Sequence, residues 1–168
     1  MGKILRADLT TGAMRDENLP EEPILKKLIG GQALASYILM KELPLDAKPF
    51  GPENIVVMLT GPLTGNGFTP GGTKMTAVYL SPLTNTTLGR GATSGYWGTY
   101  LKAAGYDGII LNGASPKPVY LYIYEGKPEL RDAATVWGLG TRDTEDRCAN
   151  SWGVATLRCS ASDPPASI

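Results

Sequence analysis

The chain has 168 residues, 42% of them hydrophobic and 19% charged, with 16 basic and 16 acidic side chains and no formal net charge. This composition excludes a disordered chain, a collagen and a coiled coil, and the charge balance argues against general nucleic-acid or anionic-membrane binding. No histidine occurs, so imidazole bases, a Ser-His-Asp constellation and histidine metal ligands are all excluded from the chain's own chemistry.

Residues 3–9 alternate apolar and polar (Ile4, Leu5, Ala7, Leu9) and run into Thr10-Thr11-Gly12, the pattern of a strand and a turn. Residues 23–29 predict a short helix ended by Gly30-Gly31. A second helix covers 32–43, with Leu34, Tyr37 and Ile38 on one face and Pro44 as its stop. The apolar run 55–60 reads as a buried strand before Gly61-Pro62, and 74–80 alternates again up to Ser81-Pro82. Tyr96, Trp97, Tyr100, Leu101 and Ala104 recur at helical spacing, with Thr93 or Ser94 as N-cap and Gly105 just past the end. Strands follow at 108–111 and 118–123, the second turning through Glu125-Gly126-Lys127 into 129–131 as a hairpin. A last helix starts near Thr141. Interleaved helices and strands with hairpins predict an α+β fold rather than a doubly wound parallel sheet. Trp97 and Trp137 are expected in the core, Asp107 in a turn, and residues 159–168 in a disordered tail.

Cys148 and Cys159 stand far from any CxxC spacing. Alone they build neither a zinc site nor a four-thiolate cluster. Residues 1–8 carry no apolar signal region, and no run approaches 18 apolar residues. The expectation is a cytoplasmic protein with reduced thiols.

Glycine is the positive signal, with 21 residues against a usual ~7% of a chain. The glycines gather in two segments, 61–72 and 89–98. The second, Gly89-Arg90-Gly91-Ala92-Thr93-Ser94-Gly95, opens the predicted helix, where free amides suit a phosphate. Its spacing is neither GxGxxG nor GxxxxGK[ST], and a tight structural turn fits the same residues. The first segment ends in Pro70-Gly71-Gly72-Thr73-Lys74 and places one cation at its close. It reads equally as a long surface connection.

The ordered series of segments resembles the N-terminal domain of the tungsten-dependent aldehyde:ferredoxin oxidoreductase family. The matching stretches are Gly30-Gly31-Gln32-Ala33-Leu34-Ala35, Gly61-Pro62-Leu63-Thr64-Gly65, Pro70-Gly71-Gly72-Thr73-Lys74 and Ser81-Pro82-Leu83-Thr84. They continue with Ser94-Gly95-Tyr96-Trp97-Gly98, Leu101-Lys102-Ala103-Ala104-Gly105-Tyr106-Asp107-Gly108, 117–123 and Trp137-Gly138. The resemblance implies paired β-sheets with a few packed helices, forming a base on which a tungsten bis-pyranopterin cofactor of molybdopterin type lies. It implies cofactor contacts from Gly71, Gly72, Thr73 and Lys74, and from Ala92, Thr93, Ser94 and Gly95, with no catalytic residue in this chain. The backbone carbonyl of Ala92 aligns with one that helps hold a magnesium ion between pterin phosphates. Lys74 stands where family members often place an arginine.

The resemblance further implies that the complete enzyme oxidises an aldehyde to a carboxylate and passes electrons to ferredoxin. Missing C-terminal domains or a second subunit would supply the four cysteines of a 4Fe-4S cluster. By these motifs it covers residues 1–147, a cofactor-binding domain incomplete at its C-terminal end, and fades after Arg147 to leave 148–168 as a divergent tail. The expected reading is a fragment inactive alone, with an apolar sheet face open to self-association as a homo-oligomer. Alternatives are a non-catalytic module for pterin phosphates, a subunit of a split enzyme, or an inactive truncated gene product.

Overall fold

A computed structural model describes residues 2–70 and 72–152 of the chain. The predicted tail 159–168 and Cys159 lie outside the described residues. Strands β1 (Lys3–Asp8), β2 (Met14–Asn18), β3 (Ile55–Thr60), β4 (Met75–Leu80), β5 (Leu88–Thr93) and β6 (Tyr106–Asn112) form one sheet in the order β2-β1-β6-β3-β4-β5. Strands β1 and β6 run parallel, and the other neighbours are antiparallel. A separate hairpin pairs β7 (Val119–Tyr124) with β8 (Lys127–Asp132). The helices are α1 (Glu22–Leu28), α2 (Gly31–Glu42), α3 (Trp97–Ala103) and α4 (Thr141–Trp152). The fold is α+β, as the element pattern predicts. No described helix is long and apolar enough to cross a membrane.

Period-2 alternation sends neighbouring side chains to opposite faces of the sheet. Ile4 and Ile110 join Val57, Leu59 and Val78 in a cluster with Leu34, Ala35, Ile38 and Leu39 of α2. Leu5 and Ile109 join Met75, Tyr106 and Leu101 of α3 in a second cluster, on which Leu121 and Ile123 of β7 pack. Each fully buried aliphatic side chain contributes about 1.5–3 kcal/mol. The six-stranded sheet is therefore covered on both faces. The large apolar side chains most open to solvent, Leu45, Phe50, Phe68 and Leu83, sit between the regular elements and not on an open sheet face.

Three local readings need correction, and one strand lies where no element was read. Strand β2 has no apolar alternation, yet it pairs with β1 from Lys3 opposite Asn18 to Ala7 opposite Met14. Charge holds this edge. Arg6, only 12% exposed, reaches Glu17 at 2.5 Å and Glu42 of α2 at 2.7 Å, while the Tyr106 hydroxyl donates to Asp16 at 3.0 Å. Strand β5 occupies residues expected to form a loop, for a reason given below. Asp107 lies within β6 and pairs with Lys102 of α3 at 2.6 Å, so it is a strand residue with a partner. Trp97 packs on the second cluster as expected, but Trp137 is 62% exposed in the turns after β8.

Candidate cofactor cleft

Residues 61–74 leave β3 and return to β4 as a compact loop. The Gly65 amide donates to the Gly72 carbonyl at 2.8 Å, and the Gly72 amide donates to the Thr69 carbonyl at 2.9 Å. The Asn66 carboxamide oxygen accepts from the amides of Phe68 (3.1 Å) and Thr69 (3.0 Å), and its Nδ2 donates to Thr69 Oγ1 at 2.8 Å. This is the self-bonded turn that asparagine favours. At the loop's base, Thr64 Oγ1 accepts from the Gly61 amide at 3.1 Å and donates to the Lys74 carbonyl at 3.1 Å. A loop this rich in glycine and threonine leaves many backbone groups to be paired, and it satisfies many of its own. Gly72 in particular has both backbone groups engaged, and Gly71 lies outside the described residues. Thr73 is half-buried, and Lys74 is exposed, with no described residue pairing its ammonium.

The second segment departs further from expectation. Ala92 and Thr93 are the last residues of β5, opposite Thr76 and Met75 of β4, and do not open a helix. Gly89 faces Tyr79 across the ladder, and a Cβ at Gly89 would collide with the Tyr79 ring. Glycine is needed there for a neighbouring side chain, not for a ligand. Helix α3 begins at Trp97 after Tyr96, with no side-chain cap, so neither Thr93 nor Ser94 is its N-cap. The Thr93 hydroxyl instead donates to the Ser94 carbonyl at 3.3 Å. Phosphate binding by the helix end therefore loses its footing at Ala92 and Thr93. The ends of the two segments are nevertheless brought together by the sheet. Because Met75 faces Thr93, Lys74 and Ser94 leave the same end of the β4–β5 hairpin, where strands lie about 4.8 Å apart.

A cleft of about 370 Å³ opens against the loop, lined by Ile29, Gly31, Gly61, Gly72, Lys74 and Thr76 among others. Ala92, Thr93, Ser94 and Gly95 lie outside its lining, although the register puts Ala92 on the face that Thr76 presents. Arg90 of β5 donates to Gln32 Oε1 at 2.7 Å, which ties β5 to the first turn of α2. None of the lining residues is acidic, and Lys74 carries the one charge among them. The cleft can attract an anion, but no lining side chain is suited to proton transfer near neutral pH. Among the described residues, no group of three or more Cys, Asp or Glu side chains could hold a metal ion.

Sequence reasoning missed Gly31, Thr64 and Thr76. Gly30-Gly31 carries a signal for the first of these, since it ends one helix and begins the next, but the second role is silent in the pattern.

Compared with known proteins, the chain belongs to the aldehyde ferredoxin oxidoreductase family: the family described as "Aldehyde ferredoxin oxidoreductase, N-terminal domain" matches residues 4–162. The match passes Arg147, so the likeness extends further than the motifs alone carry it. The tungsten-containing aldehyde ferredoxin oxidoreductase of Pyrococcus abyssi is 43% identical over 144 residues, covering 86% of this chain and 23% of that protein. An aliphatic sulfonate oxidoreductase, WOR-like subunit, of Pyrococcus furiosus is 45% identical over 142 residues, covering 83% of this chain and 22% of that protein. Among solved structures, the active-site complex BamBC of benzoyl coenzyme A reductase with 1,5-dienoyl-CoA matches with a TM-score of 0.86 and 32% identity. That match covers 92% of this chain and 23% of the other. The chain thus spans about a quarter of the length of these relatives.

Proposed function

We propose that this chain is the cofactor-cradling N-terminal domain of a tungstopterin oxidoreductase that converts aldehydes to carboxylates in the cytoplasm, with ferredoxin as electron acceptor. One observation carries the reading: Lys74 and Ser94 stand together at the end of the β4–β5 hairpin, and Lys74 borders a cleft with no acidic lining. A phosphate-bearing pterin fits these residues. Lys74 would hold a phosphate through its ammonium, Ser94 follows the strand end beside it, and the Ala92 carbonyl would serve a magnesium ion that offsets the phosphate charge. When bound, the tungsten group supplies the two-electron chemistry that turns an aldehyde and water into a carboxylate.

The chain's own residues bind and orient. They contribute no proton acceptor to the cleft, and two cysteines cannot ligate a 4Fe-4S cluster. The cluster ligands and acid–base groups come from other domains or a second subunit, in line with a chain that spans a quarter of its relatives.

Titration of the 168-residue chain with inorganic pyrophosphate, a probe for the pterin phosphates, tests the cleft. Lys74→Ala should weaken binding roughly tenfold, the loss of about one charge-assisted hydrogen bond, and leave thermal unfolding unchanged. Equal affinity of the variant and the parent would overturn the reading.

A further inference from the structure

We propose that Thr64 is a positioning residue that aims Lys74 into the cleft by clamping both ends of the 61–74 loop. This rests on the reading of the cleft as a phosphate site. The loop opens at Gly61 and closes at Lys74, and a single hydroxyl holds both. Thr64 Oγ1 accepts from the Gly61 amide and donates its one proton to the Lys74 carbonyl, each at 3.1 Å. At 7% exposure the side chain lies away from bulk water, where such bonds are least contested.

The clamp is itself backed by rigid elements. Thr64 Cγ2 and the Thr73 carbonyl each lie 3.2 Å from where a Cβ on Gly98 would stand, so α3 packs directly against the side chain and the end of the loop. Two staggered substituents on Cβ leave such a threonine little rotamer freedom. Lys102, from the same helix, donates to the Gly61 carbonyl at 3.3 Å and pairs with Asp107 at 2.6 Å. Thr60 Oγ1 donates to the Asp107 carbonyl at 2.7 Å, which fixes β3 to β6 just before the loop begins. Gly61 is therefore anchored to α3 and β6, and Thr64 passes that anchorage to Lys74.

The consequence concerns direction. Lys74 is the last residue before β4, and Met75 turns into the α3-side cluster while Lys74 and Thr76 line the cleft. Releasing the Lys74 carbonyl frees the peptide that sets this alternation, and the ammonium then samples directions away from the anion. Thr64 also borders the cleft, but its hydroxyl is committed to the Gly61 amide and the Lys74 carbonyl. Its effect on binding must pass through Lys74.

The test compares pyrophosphate titrations and thermal melts for the parent chain, Thr64→Val, Thr64→Ser, Lys74→Ala, Lys102→Gln and the two double variants that carry Lys74→Ala. Thr64→Val keeps the shape and removes the hydroxyl, and should weaken binding about fivefold, while Thr64→Ser should restore it to within about twofold. Lys102→Gln loosens the Gly61 carbonyl with the hydroxyl intact and should cost about threefold. It stands in for Thr64→Val should that variant melt below the assay temperature. Neither substitution should weaken binding further once Lys74 is alanine. Should Lys74→Ala weaken binding while Thr64→Val and Lys102→Gln do not, the positioning role is wrong and the phosphate reading stands. A loss that persists at full size in the Lys74→Ala background marks general loosening and also overturns it. Indifference of the parent affinity to Lys74→Ala removes both.

Discussion

The two glycine-rich segments finish side by side at Lys74 and Ser94, but different forces hold them. Residues 61–74 are tied by their own hydroxyls and carboxamides, with Thr64 and Asn66 satisfying backbone groups from within and the Thr69 hydroxyl accepting from Asn66. Residues 88–93 have the Arg90–Gln32 contact, the Thr93–Ser94 hydrogen bond and Leu88 against the first cluster, and otherwise depend on the ladder to β4 and on the fit between Gly89 and Tyr79. A polar loop can thus be as fixed as a strand when its amides find partners nearby. A glycine run can equally be a strand when a neighbouring ring needs the space.

The sharpest way to break this contrast is Gly89→Val, which drives methyl groups into the Tyr79 ring. We expect a loss of about 2–3 kcal/mol, read as a lower urea midpoint, and recovery of at least half on adding Tyr79→Ala. A variant as stable as the parent would show that Tyr79 does not set the requirement. In the other segment, Asn66→Ala removes three hydrogen bonds within an exposed turn. It should cost about 1 kcal/mol and speed hydrogen exchange at the Phe68 and Thr69 amides, with the β5 amides unaffected. Faster exchange in both segments would mean that they open as one unit.

The smallest effect serves as a control from the far edge of the sheet. Lys3 holds the Asp16 carboxyl below its ordinary value, with help from the Tyr106 hydroxyl. Burial pushes the Glu17 carboxyl up, but hydrogen bonds from Arg6 and Arg15 outweigh it and leave Glu17 lowered as well. Lowered folded values mean that the stability these groups add is complete above the ordinary carboxylate range, about pH 4, and is lost as pH falls through the folded values. The urea midpoint should be level from neutrality to about pH 5 and decline below that, with Glu17→Gln making the decline shallower. A midpoint that climbs on acidification would contradict the sign.

Strands 55–60 and 75–80 and helix 31–42 were legible in the sequence because their apolar side chains repeat with the period of the element that buries them. Strand β2 was not. Its residues are held by Arg6 and Lys3 of the neighbouring strand and by Tyr106, and no local pattern encodes partners that far away. Strand β5 was hidden by its glycines, whose meaning depends on Tyr79 across the ladder. In the cleft, Lys74 stood out as the cation closing a glycine-rich loop. Thr76 and Ala92 share a face only through the β4–β5 register, and Gly31 reaches the cleft only because α2 starts where α1 stops. The clamp by Thr64 was illegible for the same reason. One threonine among several in the loop is marked out only when the loop has closed around it.

The parallel pairing of β1 with β6 sets an order of events during synthesis. Strand β6 lies between β1 and β3, with Leu5 beside Ile109 on one flank and Val57 opposite Ile110 on the other. Strands β1 to β5 therefore leave the ribosome before the piece that joins them. Until residues 106–112 emerge, a two-stranded hairpin and a three-stranded meander stand apart, each with a bare inner edge open to pairing with other chains. Contacts between such distant residues close slowly. A nascent chain that has emerged only as far as Gly105 exposes two sticky edges, and the emergence of residues 106–112 would seal both at once.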